Sequence, residues 1–366
     1  MNADAGLEGV VAADTVLSEV DGEAGRLIIR GYALGQLVGH CSFEEVLQLL
    51  LQGFFEPMPS DSGSLARALG AARAEVVDYL PRADRRLLQM TPMEGLRALM
   101  ARLSDGDDSA TALRLIAAPA VFTPALMRLR AGLAPVAPDA ALTHAADLLR
   151  MLRAAPAPPR DVSALDQYLV TVADHGLNAS TFAARVVAST GAGLTSAAIA
   201  ALSALKGPLH GGAPGPVLDM LDAIGAPEHA AAWLEHSLAR GERLMGFGHR
   251  IYRVRDPRAD ALRAALQALG RQRGAPSARL ALAEVVELAA LSLLRRAKPQ
   301  RPLDTNVEFY TALLLEALEI PRDGFTCLFA AGRIGGWVAH AREQVLHGRL
   351  IRPQSRYVGP APRQAA

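Results

Sequence analysis

Apolar residues along this chain recur mostly at helical spacing. Leu262, Leu266 and Leu269 share one helical face, and Phe309, Leu313 and Ala317 share another, with Leu314, Leu315 and Leu318 around it. That second pattern predicts a buried helix over 307–319. Further helices are predicted at 228–240, 278–296 and 326–346. Between 162 and 206 lie two helical stretches of low bulk, LNASTFAARVVASTGAG and LTSAAIAALSAL. Small residues at that density allow close approach, which suits a tight helix–helix or subunit contact and equally suits Ala-rich core helices. One segment departs from the helical period: Val16–Val20 and Arg26–Arg30 flank DGEAG and predict a small β-hairpin. Ser42-x-x-Glu45 opens a helix as a capping box, and Gly53 with Pro57 closes it. Breaks are expected at APAPPRD (155–161), at KGPLHGGAPGP (206–216) and in the loop 245–260. No repeat of 20–50 residues is visible. The fold class expected from this pattern is all-α.

Length and charge narrow the picture. A chain of 366 residues makes one large or two moderate domains with a substantial core. Its 38 Lys+Arg balance 37 Asp+Glu, so no global field favours nucleic acid or an acidic membrane, and anion binding must be local. Almost every basic residue is Arg; Lys occurs only at 206 and 298. Coding bias accounts for such an excess, and so does a need for bidentate carboxylate or phosphate recognition. Cys41 and Cys327 form no spaced pair, which favours a reducing compartment. The N-terminus carries Asp4 and Glu8 and lacks the apolar core of a signal peptide, and no uninterrupted apolar run reaches membrane-spanning length. A soluble, cytoplasmic protein is expected.

Four features carry candidate chemistry. Arg333 sits among Leu, Phe, Ala, Gly, Ile and Trp, and a buried guanidinium needs an anionic partner. That partner is either an internal carboxylate, Glu308 being one candidate, or a ligand. His210 and His249 each stand in a Gly-rich loop that permits close backbone approach to a ligand. Arg250, Arg253, Arg255 and Arg258 directly follow His249. They form either a phosphate or carboxylate site or a solvated basic loop paired with Asp256 and Asp260. Glu308 ends Thr305-x-x-Glu308, which fits a capping box; the same carboxylate on a buried helix suits a catalytic base. Zincin, C-x-x-C, P-loop and G-x-S-x-G motifs are absent, and Gly246-Phe247-Gly248 lacks the third glycine of a dinucleotide fingerprint. A His210/His249/Glu308 metal site remains geometrically open, although no metal is required.

Five motifs in one order resemble the citrate synthase family: DHGLNAST (174–181), GPLHGGAP (207–214), GFGHRIYRVRDPRA (246–259), NVEFY (306–310) and GRIGGWVAH (332–340). The resemblance runs over nearly the whole chain. It implies a two-domain helical fold, with a large dimerisation domain from 1–210 plus 314–366 and a small domain, 211–313, that closes over the substrates. It implies a homodimer, with the Ala-rich helices near 180–206 at or near the contact. The implied reaction is that of a Si-type citrate synthase of the tricarboxylic acid cycle: acetyl-CoA condenses with oxaloacetate, and the citryl thioester is then hydrolysed. The resemblance makes Glu308 the base, His210 the enolate-side donor and His249 the donor to the ketone oxygen. His175, Arg258, Arg333 and Arg352 hold carboxylates, Arg352 from across the dimer interface, while Arg253 and Arg250 meet CoA phosphates. No cofactor beyond the CoA thioester, no metal, no nucleic acid and no membrane are implied.

Two positions depart from the family pattern. Glu308 stands where Asp is usual, as in a branch of synthase-like members with NVEF. The extra methylene shifts the carboxylate by roughly 1 Å, enough to cost on the order of 100-fold in rate where placement is critical. HGGAP replaces the common HGGAN, so Pro214 removes a side-chain amide. The alternatives to citrate synthesis are 2-methylcitrate synthesis from propionyl-CoA and a weakly active or non-catalytic paralogue that binds CoA or a tricarboxylate.

Overall fold

The computed structural model describes residues 6–7, 9–80, 84–211, 214–274, 277–300 and 303–361. Asp4 and Glu8, and Gly212 and Ala213 of the GPLHGGAP motif, lie outside them. The chain is 61% helix and 3% strand, an all-α fold. The sheet is β1 (Ser18–Asp21), β2 (Arg26–Ile29) and β3 (Tyr32–Ala33), in that order and antiparallel, with Ser18 opposite Ile29 and Asp21 opposite Arg26. The hairpin expected from sequence is present, and β3 extends it because Gly31, with φ +90°, turns the chain straight back.

Helices follow as α1 (Leu34–Leu37), α2 (Phe43–Leu51), α3 (Ser62–Val76), α4 (Arg85–Gln89), α5 (Pro92–Met100), α6 (Ser109–Arg130), α7 (His144–Arg153) and α8 (Pro159–Val172). The chain continues through α9 (Ala179–Ala188), α10 (Leu194–Leu205), α11 (Pro214–Ile224), α12 (Ala230–Ala239), α13 (Pro257–Arg273), α14 (Ala278–Ala297), α15 (Val307–Ala317) and α16 (Phe325–His347). The Ser42/Glu45 capping box forms as expected, with the Ser42 backbone N–H donating to the Glu45 carboxylate at 2.7 Å. Three expected loops end earlier than the sequence suggested, for one reason. Pro159, Pro214 and Pro257 are the first residues of α8, α11 and α13, where a missing N–H is harmless and the fixed φ is already helical.

α6 is the one described helix long and apolar enough to cross a bilayer by length and composition, yet its side chains from Leu115 to Met127 are buried in the core. It packs against α3, α5, α7 and α16. The small residues of α9 and α10 are used inside the chain: Ala184, Ala188, Ala197 and Ala201 are buried where the two helices pack on each other and on α16. α16 in turn needs its glycines. A Cβ on Gly332 would collide with Val172, and one on Gly336 with the Ala173 carbonyl, so GRIGG lets α16 lie directly on the end of α8. This contact places Arg333 beside the DHGLNAST motif.

Candidate active site

The site is assembled from five segments: the α8–α9 connection, the α10–α11 connection, the loop before α13, the start of α15 and the α16 helix. The loop before α13 and the start of α15 are zipped together. Phe247 and Thr305 form a β-bridge, Gly248 N–H donates to the Asp304 carbonyl at 2.7 Å, and Asn306 N–H donates to the Gly246 carbonyl at 2.9 Å. On its outer side the loop rests on the hairpin turn. Arg253 N–H donates to the Gly22 carbonyl at 2.9 Å, and a Cβ on Gly22 would strike the Ile251 carbonyl.

The expected Thr305/Glu308 capping box does not form. Asn306 caps α15, its Oδ1 accepting the Glu308 backbone N–H at 3.0 Å. Thr305 belongs to the β-bridge, and its hydroxyl donates to Glu287 at 2.6 Å. The signal for the true cap was present, since Asn is a preferred capping residue, but Thr-x-x-Glu resembled a cap more closely. The Glu308 carboxylate is therefore not used in closing the helix. It is partly buried and accepts no hydrogen bond among the described residues. Burial pushes its pKa up from 4.5 to about 7, Arg258 draws it down, and Asp256 raises it further.

Arg258 is the common neighbour of the cluster. It is 3% exposed and held by Asp256, which accepts from Nε at 3.0 Å and from Nη2 at 2.7 Å. Of the two sequence readings for the basic loop, pairing within the loop is therefore realised for Arg258, and also for Arg255 with Asp260. Asp256 additionally caps α13 and accepts Val307 N–H at 3.3 Å, so it ties Arg258 to the helix of Glu308.

The imidazoles have defined hydrogen-bonding roles. His249 Nδ1 accepts from the backbone N–H groups of Ile251 and Tyr252, both at 3.0 Å, so its neutral ring carries the proton on Nε2. That Nε2–H stands 3.4 Å from Arg258 Nη2, placing two donors side by side with no acceptor between them. His210 Nε2 faces the Ser180 hydroxyl at 2.8 Å and the Ser180 N–H at 3.3 Å. The hydroxyl donates to Asn178 Oδ1 at 2.7 Å, an oxygen that also accepts N–H groups from Ser180 and Thr181, and it receives Trp337 Nε1–H at 3.1 Å. Because His210 Nε2 accepts the Ser180 backbone N–H, the neutral ring carries its proton on Nδ1, which is its donor. Burial, then the charges of Arg333 and Arg258, hold the His210 pKa down at about 4; burial, then Arg258, does the same for His249. Both rings are neutral donors at pH 7. His175 is buried with Nε2 3.1 Å from the Tyr252 hydroxyl, and burial with Arg258 and Arg333 holds its pKa well below 6.5.

Arg333 is 1% exposed. Its Nε donates to the Val172 carbonyl at 2.5 Å, and its Nη2 has no hydrogen-bond partner among the described residues. No ion pair joins it to Glu308 among the described residues, so the internal salt bridge weighed from sequence is not formed there. Arg352, by contrast, lies in the exposed segment after α16, and no hydrogen bond or ion pair brings it to the cluster among the described residues. Arg253 is exposed 4.0 Å from Glu23, and Arg250 is exposed beside His249. His210, His249 and Glu308 do not converge as metal ligands would among the described residues. Tyr252, Ser180 and Trp337 were not singled out from sequence, because their roles arise only from contacts that folding creates.

With a pKa of about 7, the ionised Glu308 carboxylate is a stronger base than an ordinary one. Removing Glu308 therefore bears on stability as well. Its folded pKa lies above its ordinary 4.5, so its destabilising effect is absent well below pH 4.5, builds between pH 4.5 and about 7, and is constant above that, where the buried charge opposes folding. Glu308→Gln is expected to raise Tm at pH 8, by an amount corresponding to no more than ~3 kcal/mol, and to leave Tm at pH 4.5 unchanged. Calorimetry at the two pH values checks this; an equal Tm change at both would show that Glu308 ionises normally.

A carboxylate of raised pKa beside Arg258, in a cluster with neutral imidazoles and the buried Arg333, fits an enzyme class that deprotonates carbon next to a carbonyl while holding a carboxylate-bearing partner. The citrate synthase C-terminal domain model matches residues 6–354. Putative citrate synthase 2 of Mycobacterium tuberculosis is 40% identical over 98% of this chain and 93% of its own length. 2-Methylcitrate synthase of the same organism is 36% identical over 97% and 90%. Among solved structures, the ternary complex of carboxymethyl coenzyme A and oxaloacetate with the citrate synthase of Thermoplasma acidophilum superposes with a TM-score of 0.84. It is 27% identical and covers 99% of this chain and 97% of that one. The chain belongs to the citrate synthase family, whose members are transferases acting on acyl groups.

Proposed function

We propose that the protein condenses acetyl-CoA with oxaloacetate and hydrolyses the resulting citryl-CoA to citrate and CoA. Glu308 takes a proton from the acetyl methyl group, and His210 Nδ1–H donates to the thioester oxygen as it becomes an enolate. The enolate carbon attacks the ketone carbon of oxaloacetate, and His249 Nε2–H donates to the forming alkoxide. Arg258, Arg333 and His175 hold the oxaloacetate carboxylates, joined by Arg352 from the second subunit of a homodimer. Water then cleaves the thioester. Arg253 and Arg250 meet the phosphates of CoA, and no cofactor beyond CoA itself enters. Residues 211–313 form the small domain, which closes on 1–210 plus 314–366 and excludes water, strengthening each hydrogen bond to developing charge. The setting is the cytoplasm and the tricarboxylic acid cycle.

The observation that carries this reading is Glu308, a carboxylate poised near pH 7 under the influence of Arg258 and without a hydrogen bond to its carboxylate among the described residues. Neutral imidazoles support it, because each still carries one N–H that can donate to developing negative charge. The test is steady-state CoA release with oxaloacetate plus acetyl-CoA or propionyl-CoA. Acetyl-CoA is expected to have the larger kcat/KM, by roughly 10–200-fold, the range one methylene supplies. A larger value for propionyl-CoA would make the protein a 2-methylcitrate synthase, and no release with either donor would overturn the enzyme reading.

A further inference from the structure

Glu287 stands outside the motifs and touches none of the proposed reacting groups, yet it joins the two segments that carry them. It projects from α14 and is 4% exposed. Its Oε1 accepts from the Thr305 hydroxyl at 2.6 Å and from Arg255 Nη1 at 2.7 Å, and its Oε2 accepts from the Tyr310 hydroxyl at 2.6 Å. Thr305 and Tyr310 bracket Glu308 in sequence, one before the α15 cap and one in its first turn. Arg255 lies in the loop between His249 and Arg258, with its guanidinium carbon 5.9 Å from the centre of the Tyr310 ring. One buried carboxylate thus grips the base segment at two points and the loop of His249 and Arg258 at a third. Short charge-assisted bonds of this kind fix direction as well as distance.

We infer that Glu287 is a positioning residue for the condensation, holding the Glu308 segment in register with the His249–Arg258 loop. The inference rests on the proposed role of Glu308 as base. The two segments are also joined by backbone hydrogen bonds, by Asp256 and by Asn306 Nδ2 donating to the Gly248 carbonyl at 2.8 Å; Glu287 adds to these a grip on side chains lying on both sides of Glu308. A rate that depends on placing the base to within about 1 Å is sensitive to that orientation.

Two cycles test it. In CoA release, Glu287→Gln is expected to lower kcat by roughly 10–100-fold. The oxaloacetate KM should move much less, because Arg258 retains its own clamp on Asp256. In a Glu308→Asp background, where the carboxylate is already displaced, the same change should lower kcat by no more than about 3-fold. Thr305→Ser, which keeps the hydroxyl, should retain near-normal kcat, whereas Thr305→Val should lose activity; this pair decides the matter if Glu287→Gln does not fold. Without turnover, the Tm gain of Glu308→Gln at pH 8 should shrink by half or more in the Glu287→Gln background, since a mispositioned Glu308 is no longer buried. Equal kcat penalties in both Glu308 backgrounds, equal Tm gains, or equal activity of Thr305→Ser and Thr305→Val would each overturn the inference. Absence of CoA release by the wild type would instead overturn the proposed function, and the melting cycle would then decide the positioning role alone.

Discussion

Glu308→Gln is expected to lower kcat for CoA release by roughly 100–10,000-fold, the range a positioned general base supplies. The amide matches the carboxylate in size, so packing at the start of α15 is kept while the base is lost. The wild-type pH profile should identify the same group. The base acts only when ionised, and burial raises its pKa to about 7. kcat/KM in the free enzyme should therefore fall about tenfold per pH unit below that value. The imidazoles cannot produce this limb, because both His210 and His249 titrate near 4. A flat profile from pH 5 to 8, or near-normal kcat for Glu308→Gln, would remove Glu308 from the role. Glu308→Asp restores the residue usual in the family but withdraws the carboxylate by roughly 1 Å, so it separates charge from reach. Lower activity would show that the site is built around the longer side chain.

Helix positions were legible in the sequence because burial imposes a 3.6-residue period. The helices expected at 278–296, 307–319 and 326–346 form as Ala278–Ala297, Val307–Ala317 and Phe325–His347. Boundaries were less legible where one residue type serves two purposes: Pro159, Pro214 and Pro257 suggested breaks and instead begin helices. In the site, residues with unusual surroundings were found, since Arg333 in an apolar run and His249 in a glycine loop are conspicuous in one dimension. Glu287 was not, because its three partners are separated from it by 18, 23 and 32 residues. Nothing local distinguishes a carboxylate on α14 that will be buried from one that faces solvent. Thr305 shows the same limit in reverse: a local pattern predicted a cap, and a long-range partner claimed the hydroxyl.

Arg333→Met is expected to raise the oxaloacetate KM by roughly 30–4,000-fold, corresponding to the 2–5 kcal/mol lost when one partner of a buried charge pair is truncated. The free protein should melt at the same temperature or higher. These two outcomes belong together, and the reason is the incomplete pairing of this guanidinium. Its Nε has the Val172 carbonyl, its Nη2 has no hydrogen-bond partner among the described residues, and it lies 4.8 Å over the ring of Phe329. The carboxylate that acts on it is Asp174, which is already bonded to Ser18 and His340. Burial, with Arg258 adding to it and Asp174 opposing, pulls the Arg333 pKa down to about 10. An internal salt bridge would have left the opposite signature, with both charges satisfied and the protein strongly destabilised when one is removed. Met fills a similar apolar volume and removes an uncompensated charge, a replacement that is commonly neutral or stabilising. The discriminating measurement is the rise in Tm on adding oxaloacetate, present in the wild type and lost in Arg333→Met. A variant that melts several degrees lower without ligand, yet keeps that rise, would mean that Arg333 holds the fold together and leaves the substrate to other residues.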